Sequence, residues 1–259
     1  MGLLDQKTGL VFGIANDRSY AWYIAQAIID HGGKCAFTCL PGEKNERRTR
    51  KAVEVLGIDD PWIVPCDASK DDDLDMVFQK YADSFSKMDF LIHSIAFADK
   101  DWLEEGKFTA TPRKVFLQAL DISAYTLMAM ANRAAPLMTD GGSILGMSYY
   151  GAEKAIRGYN VMGVAKSALE SAARYLAFDL GPQAIRVNII SGGPMRTLSA
   201  LGVGGFSQIL EWAPQRAPLR RNIDGREVGD TAVWLVSDLS TGVTGEVVHV
   251  DAGFNAVGL

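Results

Sequence analysis

The sequence predicts an α/β protein of the Rossmann type, a doubly wound parallel sheet of about seven strands with helices on both faces. Short apolar runs alternate with longer segments of helical periodicity, which is the pattern of repeated βα units. Several of the apolar runs are too continuous for a sheet that is wetted on one face. With 259 residues and 48% apolar side chains, the chain can bury a large core.

Seven segments have the composition of buried strands. They are Gly9–Ile14, Lys34–Thr38, Trp62–Pro65, Phe90–His93, Ser143–Met147, Arg186–Ile190 and Glu246–Val250. Ser19–His31 is predicted to form a helix that ends at two glycines, and Asp71–Phe85 a helix with an acidic first turn. No repeat or linker divides the chain, so we predict a single domain over residues 1–259.

Charge and cysteine content exclude several classes of protein. The 26 Lys+Arg against 31 Asp+Glu give a net charge of −5, which argues against a surface built for nucleic acid or anionic membrane. The three cysteines have neither disulfide nor zinc spacing, and Asp71–Asp73 lacks the glycine and glutamate of a calcium loop, so we predict no metal. No signal sequence or membrane-spanning run is present, and we expect a cytoplasmic protein.

A turn of small residues follows the first predicted strand. Gly13, Ala15 and Ser19 lead into a helix whose N-terminal amides can hold the pyrophosphate of a dinucleotide. Ala15 takes the place of one glycine of the common GxGxxG pattern. An ordinary βα turn is therefore the alternative interpretation of this stretch alone.

The ends of the second and third strands bear on the adenosine half of such a cofactor. Leu40 stands where many NAD-binding folds place an acid, and Lys44, Arg47 and Arg48 follow closely enough to meet a 2′-phosphate. NADH and NADPH therefore both remain open at this point. Asp67 is a candidate acceptor for the adenine amino group, with a turn cap as the alternative.

The end of the fourth strand adds another small-residue turn. Residues 94–96 follow His93 at the carboxyl edge of the sheet, where such folds bind ligands. His93 itself is interpreted as a packed residue rather than a catalyst, because no other histidine clusters with it. Further along, Gly192–Pro218 is a long interval rich in glycine and proline, and we interpret it as a lid, with a plain surface loop as the alternative.

Tyr159 and Lys166 form the most informative pair. They stand two helical turns apart, so their side chains leave one face about 10 Å apart along the axis. That separation suits a phenol at a reacting oxygen and an ammonium at a cofactor ribose. A nearby cation makes a phenol, whose ordinary pKa is about 10, a better donor to a developing oxyanion. A core tyrosine beside a surface lysine is the structural alternative.

A second pair, Tyr150 and Lys154, has the Tyr-x-x-x-Lys spacing of ordinary short-chain dehydrogenases. Ser148 stands too close to Tyr150 to act as the separate serine of those enzymes. Gly151 interrupts the helix that the motif needs. We therefore do not expect this pair to be catalytic.

Taken together, four motifs resemble the bacterial enoyl-acyl-carrier-protein reductases of the FabI type, a divergent branch of the short-chain dehydrogenase/reductase superfamily. The motifs are Gly13-x5-Ser19, Ser148-Tyr149, Tyr159-x6-Lys166 and the run from Gly193 to Thr197. The chain ending Gly242–Gly253 is also similar to that family. The resemblance covers essentially the whole chain.

The resemblance implies a reaction and a set of partners. A reduced nicotinamide cofactor, NADH or alternatively NADPH, would deliver hydride to the β-carbon of a trans-2-enoyl thioester held by acyl carrier protein. Tyr159 would bond to the thioester oxygen, and Lys166 would hold the nicotinamide ribose. Tyr149 would line the substrate site beside the lid. Family members are usually homotetramers, so we expect the same assembly here.

The implied site is large. The catalytic residues would be Tyr159, Lys166 and Tyr149. The cofactor would contact Gly13, Ala15, Ser19, Tyr20, Leu40, Asp67, Ala68, Ser94, Ile95, Ala96, Lys166, Pro194, Met195 and Thr197. The acyl substrate would contact Ala98, Tyr149, Tyr159, Leu198, Leu201 and Phe206.

Two other functions remain open from the sequence. The first is a short-chain dehydrogenase that reduces a ketone or an aldehyde, and the second is a non-catalytic regulator that binds a dinucleotide. The Tyr159 and Lys166 pair counts against the regulator, because a sensor needs no proton donor beside its cofactor pocket. Fold alone decides none of the three.

Overall fold

The computed structural model describes residues 2–197 and 206–257. Its centre is a seven-stranded parallel sheet with the strand order β3-β2-β1-β4-β5-β6-β7. The strands are β1 (Thr8–Phe12), β2 (Lys34–Cys39), β3 (Ile63–Pro65), β4 (Phe90–His93), β5 (Gly142–Ser148), β6 (Ile185–Gly192) and β7 (Val247–Val250). The predicted fold class is therefore confirmed, with all seven strands near their predicted positions.

Eight α-helices connect the strands within the described residues. They are α1 (Tyr20–Asp30), α2 (Glu43–Glu54), α3 (Asp71–Ser84), α4 (Arg113–Leu120), α5 (Thr126–Ala134), α6 (Asn160–Leu180), α7 (Phe206–Arg216) and α8 (Gly225–Val236). A single π-helical turn joins α4 to α5. None of the helices in these ranges is long and apolar enough to cross a bilayer.

Apolar layers cover both faces of the sheet, as the continuous apolar strands predict. In β1, Val11 packs into the layer of α1, α2 and α8, whereas Leu10 and Phe12 pack into the layer of α3, α5 and α6. All three side chains are almost completely buried. This two-sided burial explains why the strand shows no alternation of polar and apolar residues.

The strand order reverses between β1 and β4, because the chain winds outward from β1 in both directions. Thr8 to Val11 pair with β2 on one side, and Gly9 to Phe12 pair with β4 on the other. Above the carboxyl ends of the two strands the connecting segments diverge to opposite faces and leave a crevice. Ligand-binding residues are expected in this crevice.

Three predicted boundaries need correction. β1 ends at Phe12 rather than at Ile14. β6 continues through Gly192 rather than ending at Ile190, because its register with β5 and β7 runs on to Ser191 and Gly192. The interval predicted as a lid from residue 192 therefore begins inside a strand. It is also partly helical, since α7 occupies residues 206–216.

Candidate active site

A cavity of about 360 Å³ opens above the carboxyl ends of β1, β4, β5 and β6. Most of the residues predicted from the sequence line it. They are Gly13, Ala15, Ser19, Tyr20, Ser94, Ile95, Ala96, Ala98, Tyr149, Tyr159, Lys166, Pro194, Met195, Thr197 and Phe206. The cavity thus unites the turn after β1, the Tyr159 pair and the segment after β6.

Three predicted cofactor residues do not line this cavity. Leu40 is exposed beyond the end of β2, and Asp67 with Ala68 follows β3. The Asp67 carboxylate accepts bonds from the Ser69 amide at 3.2 Å and hydroxyl at 2.7 Å, which is the arrangement of a turn cap. All three lie at the same carboxyl edge, further out along the sheet, and their contact with a cofactor stays a prediction. Leu198 and Leu201 lie outside the described residues.

The remaining residues that line the cavity were not predicted from the sequence. They are Phe97, Lys100, Leu103, Met147, Ser148, Met162, Gly192, Gly193 and Ile209. Most flank a predicted residue by one to three positions. Met162 could have been predicted from its spacing. It stands three residues after Tyr159 and four before Lys166 and therefore shares their helix face. Lys100 and Leu103 could not be found in this way, since they lie at a short 3₁₀ turn, Lys100–Trp102, outside the predicted strands and helices.

A π-helical turn fixes one wall of the cavity. Ser123, within this turn, accepts a bond from the Phe97 amide at 3.0 Å and donates one to the Phe97 carbonyl at 3.1 Å. The segment after β4 is thereby fixed to the helical layer. An isolated π turn of this kind is frequent at functional sites.

Tyr159 lies at the N-cap of α6, immediately before the helix proper. The next residue, Asn160, has a φ of 43°, a left-handed conformation that asparagine tolerates better than most residues. Its side-chain amide donates to the carbonyls of Trp102 and Glu104, each at 2.7 Å. Asn160 therefore joins the start of α6 to the loop that carries Lys100 and Leu103 on the cavity wall.

The Tyr159 ring is buried against Tyr149, with their centroids 5.1 Å apart and an interplanar angle of 71°. Burial raises the pKa of Tyr159 above its ordinary value, and the neighbouring tyrosines and Glu170 raise it further. Burial likewise raises the pKa of Tyr149 to about 12. The expectation that a nearby cation makes Tyr159 a better donor to an oxyanion stays a prediction. Both phenols are neutral hydrogen-bond donors at physiological pH.

Lys166 is buried in the second turn of α6 and donates to the Met147 carbonyl at 2.6 Å. Burial lowers its pKa to about 8, although Glu170 one turn later favours the charged form. Glu170 itself accepts a bond from the Ser148 hydroxyl, and burial raises its pKa. Lys166 is therefore a cation at neutral pH, but its pKa lies only slightly above that pH.

His93 is a packed residue, as predicted. It is fully buried at the end of β4, and its Nε2 lies 2.8 Å from the Thr126 hydroxyl. That hydroxyl donates to the Ile122 carbonyl, so Nε2 must be the donor to Thr126. Burial lowers the pKa of His93 to about 3, and the imidazole remains neutral.

The alternative Tyr150 and Lys154 pair lies outside the cavity lining. Tyr150 begins a single 3₁₀ turn and packs edge-on against His249 and Phe254. Lys154 is exposed to solvent. The helix that a Tyr-x-x-x-Lys motif requires is therefore absent at this position, as the glycine between the two residues predicts.

The turn after β1 packs closely against the segment that follows β4. Gly13 has a φ of 104°, and a Cβ placed on it would lie 2.1 Å from the Ser94 carbonyl oxygen. Ser19 caps α1 without a side-chain bond to the helix, and its hydroxyl instead donates to the Asn16 carbonyl at 2.9 Å. The first amides of α1 thus remain available to an anion at the cavity.

We expect Gly13→Ala to lower the free energy of unfolding by about 2–4 kcal/mol, because it combines a disfavoured φ with a clash against backbone. Gly57→Ala is the matched control. Its φ is 79°, but a Cβ there meets no atom within 4 Å, so only the conformational cost of about 1 kcal/mol applies. Urea unfolding of both variants measures the difference, and equal losses would contradict the proposed close approach.

Comparison with known proteins identifies the relatives of this site. The sequence profile of the family described as enoyl-(acyl carrier protein) reductase matches residues 13–255. The chain belongs to the enoyl-(acyl carrier protein) reductase family. It is 48% identical to the NADH-dependent FabI enzyme of Bacillus cereus over the full length of both chains. It is 47% identical to the NADPH-dependent FabI of Staphylococcus aureus, with 98% of each chain covered.

Solved structures of other enoyl-(acyl carrier protein) reductases agree with the fold. The Bacillus cereus enzyme, solved with NADP+ and an indole naphthyridinone, superposes with a TM-score of 0.96 over all of both chains at 48% identity. The Anaplasma phagocytophilum enzyme, solved with NAD, superposes with a TM-score of 0.94 at 46% identity and covers 100% of this chain and 97% of that one. The resemblance drawn from the four motifs is therefore confirmed.

Proposed function

We propose that this chain reduces the trans-2 double bond of an enoyl thioester carried by acyl carrier protein, with a reduced nicotinamide cofactor. The observation that carries the proposal is one cavity in which the buried Tyr159 and Lys166 and the half-buried Tyr149 face the turn at the start of α1. The relatives that match over nearly their full length are enoyl-(acyl carrier protein) reductases, which supports the same reaction class. Hydride addition at the β-carbon and uptake of a proton from solvent at the α-carbon give the saturated acyl thioester.

The residues around the cavity fit a dinucleotide. Gly13 lets the turn after β1 pack closely against Ser94, and the first amides of α1, which no side chain caps, suit a pyrophosphate. We assign the nicotinamide end to Lys166 and to the segment with Pro194, Met195 and Thr197. When bound, the reduced nicotinamide supplies the hydride that adds to the β-carbon of the substrate.

Tyr159 stabilises the charge that develops on the thioester oxygen. Its raised pKa keeps the phenol protonated, so it donates a hydrogen bond throughout the reaction. In a buried site such a donor acts without the screening of water. The ring of Tyr149, edge-on at 5.1 Å, fixes the orientation of Tyr159 and forms part of the wall for the acyl chain.

Lys166 places a positive charge within the same buried region. Its bond to the Met147 carbonyl leaves further ammonium protons for the hydroxyls of a ribose. A cation here also favours the accumulation of negative charge on the nearby substrate oxygen. We therefore assign Lys166 both a binding and an electrostatic role.

The segment after β6 and α7 would cover the acyl chain. Phe206 and Ile209 of α7 line the cavity, and Trp212 packs edge-on against Phe254 with centroids 5.2 Å apart. We propose that this interval, within residues 192–218 and including Leu198 and Leu201, is a lid that excludes water from hydride transfer.

We further propose a homotetramer in the cytoplasm. Large apolar side chains are exposed along α4, α5 and α6, and they suit contacts between subunits. These are Leu117 at 55% exposure, Met128 at 46%, Tyr175 at 73% and Phe178 at 83%. The three unpaired cysteines accord with a reducing compartment.

The test is the loss of reduced-nicotinamide absorbance with a crotonyl thioester, run in parallel with NADH and NADPH. We expect turnover with one or both, and with acyl carrier protein thioesters a lower KM than with coenzyme A thioesters. Turnover only on ketones or aldehydes would favour the dehydrogenase, and cofactor binding without turnover on any of these substrates would favour the regulator. Either result would overturn the proposal.

A further inference from the structure

Tyr20 makes a contact that joins two distant parts of the chain at the cavity. It is the first residue of α1, and its hydroxyl donates a hydrogen bond to the carbonyl oxygen of Gly193, immediately after β6. The ring passes directly over Gly192. A Cβ placed on Gly192 would lie 2.9 Å from Cζ of Tyr20 and 3.0 Å from its hydroxyl oxygen.

The close approach accounts for the glycine at position 192. No left-handed φ requires glycine there, whereas the phenol ring occupies the space that any side chain would need. Gly192 is buried within the parallel pairing with β7, so the strand has little freedom to move aside. The small residue and the large one thus form a complementary pair.

We propose that Tyr20 is a positioning residue that holds segment 193–197 against the turn 13–19, and that Gly192 lacks a side chain so that the phenol can reach Gly193. The proposal rests on the proposed function, because these two segments are the ones assigned to the nicotinamide cofactor. Pro194, Met195 and Thr197 follow Gly193 directly and line the cavity. Fixing the Gly193 carbonyl therefore sets the width of the cofactor end.

The chemistry of Tyr20 suits a fixed contact rather than proton transfer. Burial raises its pKa above the ordinary value, and Tyr149 nearby raises it further. The phenol stays protonated, and its proton is directed at a backbone carbonyl. Tyr20 is thus the third neutral phenol at the cavity, with a role distinct from that of Tyr159.

Tyr20→Phe removes the hydroxyl alone and tests the bond. We expect it to raise the Kd for the reduced cofactor about 3- to 10-fold, the range for one hydrogen bond, with the cofactor KM affected more than kcat. Tyr23→Phe is the control, because Tyr23 lies one turn later in α1 against Trp22 and Gly225, outside the cavity lining. The cofactor Kd of the Tyr23→Phe variant is expected to remain at the wild-type value.

Gly192→Ala tests whether the Tyr20 ring needs the space that a side chain at position 192 would fill. We expect it to weaken cofactor binding about 10-fold or more, because the methyl group displaces the Tyr20 ring. Tyr20→Leu frees that space, so the double variant Tyr20→Leu/Gly192→Ala should bind cofactor at least about 3-fold more tightly than Gly192→Ala alone. A cofactor Kd in the double variant that is raised by the product of the two single-variant fold-changes would overturn the pairing of the two residues.

Hydrogen exchange of residues 192–197 without any cofactor provides a readout independent of the proposed function. We expect faster exchange in Tyr20→Phe than in wild type and no change in Tyr23→Phe. Unchanged exchange in Tyr20→Phe would overturn the proposed contact. Faster exchange in a protein whose wild type binds neither NADH nor NADPH would support the contact and reject the proposed function.

Discussion

Replacing Tyr159 with phenylalanine is expected to lower kcat about 100- to 1000-fold, which corresponds to roughly 3–4 kcal/mol of lost transition-state stabilisation. The substitution removes one buried donor and leaves the ring packed against Tyr149. Because the phenol remains protonated, its contribution is a hydrogen bond to the developing oxyanion rather than permanent loss of a proton. Steady-state kinetics with a crotonyl thioester measure the effect, and direct titration should show an almost unchanged cofactor Kd.

Tyr150→Phe is the matched control for this experiment. Tyr150 is also buried, yet its ring packs against His249 and Phe254 outside the cavity lining. We expect its turnover to stay within about 2-fold of wild type, since removing a hydroxyl far from the reacting atoms leaves the site intact. Full activity in Tyr159→Phe would reject our assignment, and loss of activity only in Tyr150→Phe would transfer the catalytic role to the other pair.

Much of the fold was predictable because its signal is local. Continuous apolar runs mark strands that are buried on both faces, and the glycines after α1 mark its end. The end of β6 was not predictable, since Ser191 and Gly192 carry no strand signal and pair only because β5 and β7 flank them. Strand ends that depend on neighbours distant in sequence are set by tertiary structure.

The candidate site was predictable in its membership but not in its electrostatics. Helical spacing alone placed Tyr159 and Lys166 on one face. Their pKa shifts arise from burial by segments that are distant in the sequence, and no local pattern predicts that burial. The pairing of Tyr20 with Gly192 spans most of the chain and follows no local rule. Met162 could have been found from its position between the two catalytic residues on the same helix face.

Lys166→Met is expected to abolish efficient turnover and yet not to lower stability at neutral pH. Burial shifts the pKa of Lys166 from 10.5 to about 8, so keeping it charged in the folded protein costs about 3 kcal/mol. Methionine has a similar length and no charge, but it leaves the Met147 carbonyl without its donor, which costs about 1–3 kcal/mol. We therefore expect a free energy of unfolding equal to that of wild type or up to about 2 kcal/mol higher.

The dependence of this difference on pH provides the sharper test. Between pH 8 and 10.5 the folded protein has released the Lys166 proton while the unfolded chain still holds it, so wild type gains stability relative to Lys166→Met as the pH rises. Lys154→Met, at an exposed lysine, controls for the loss of charge alone and should remain parallel to wild type. Curves for Lys166→Met and wild type that also stay parallel over this interval would contradict a buried, destabilised ammonium. Converging curves with lost turnover would show that the fold tolerates an energetic cost at Lys166 for the sake of the reaction.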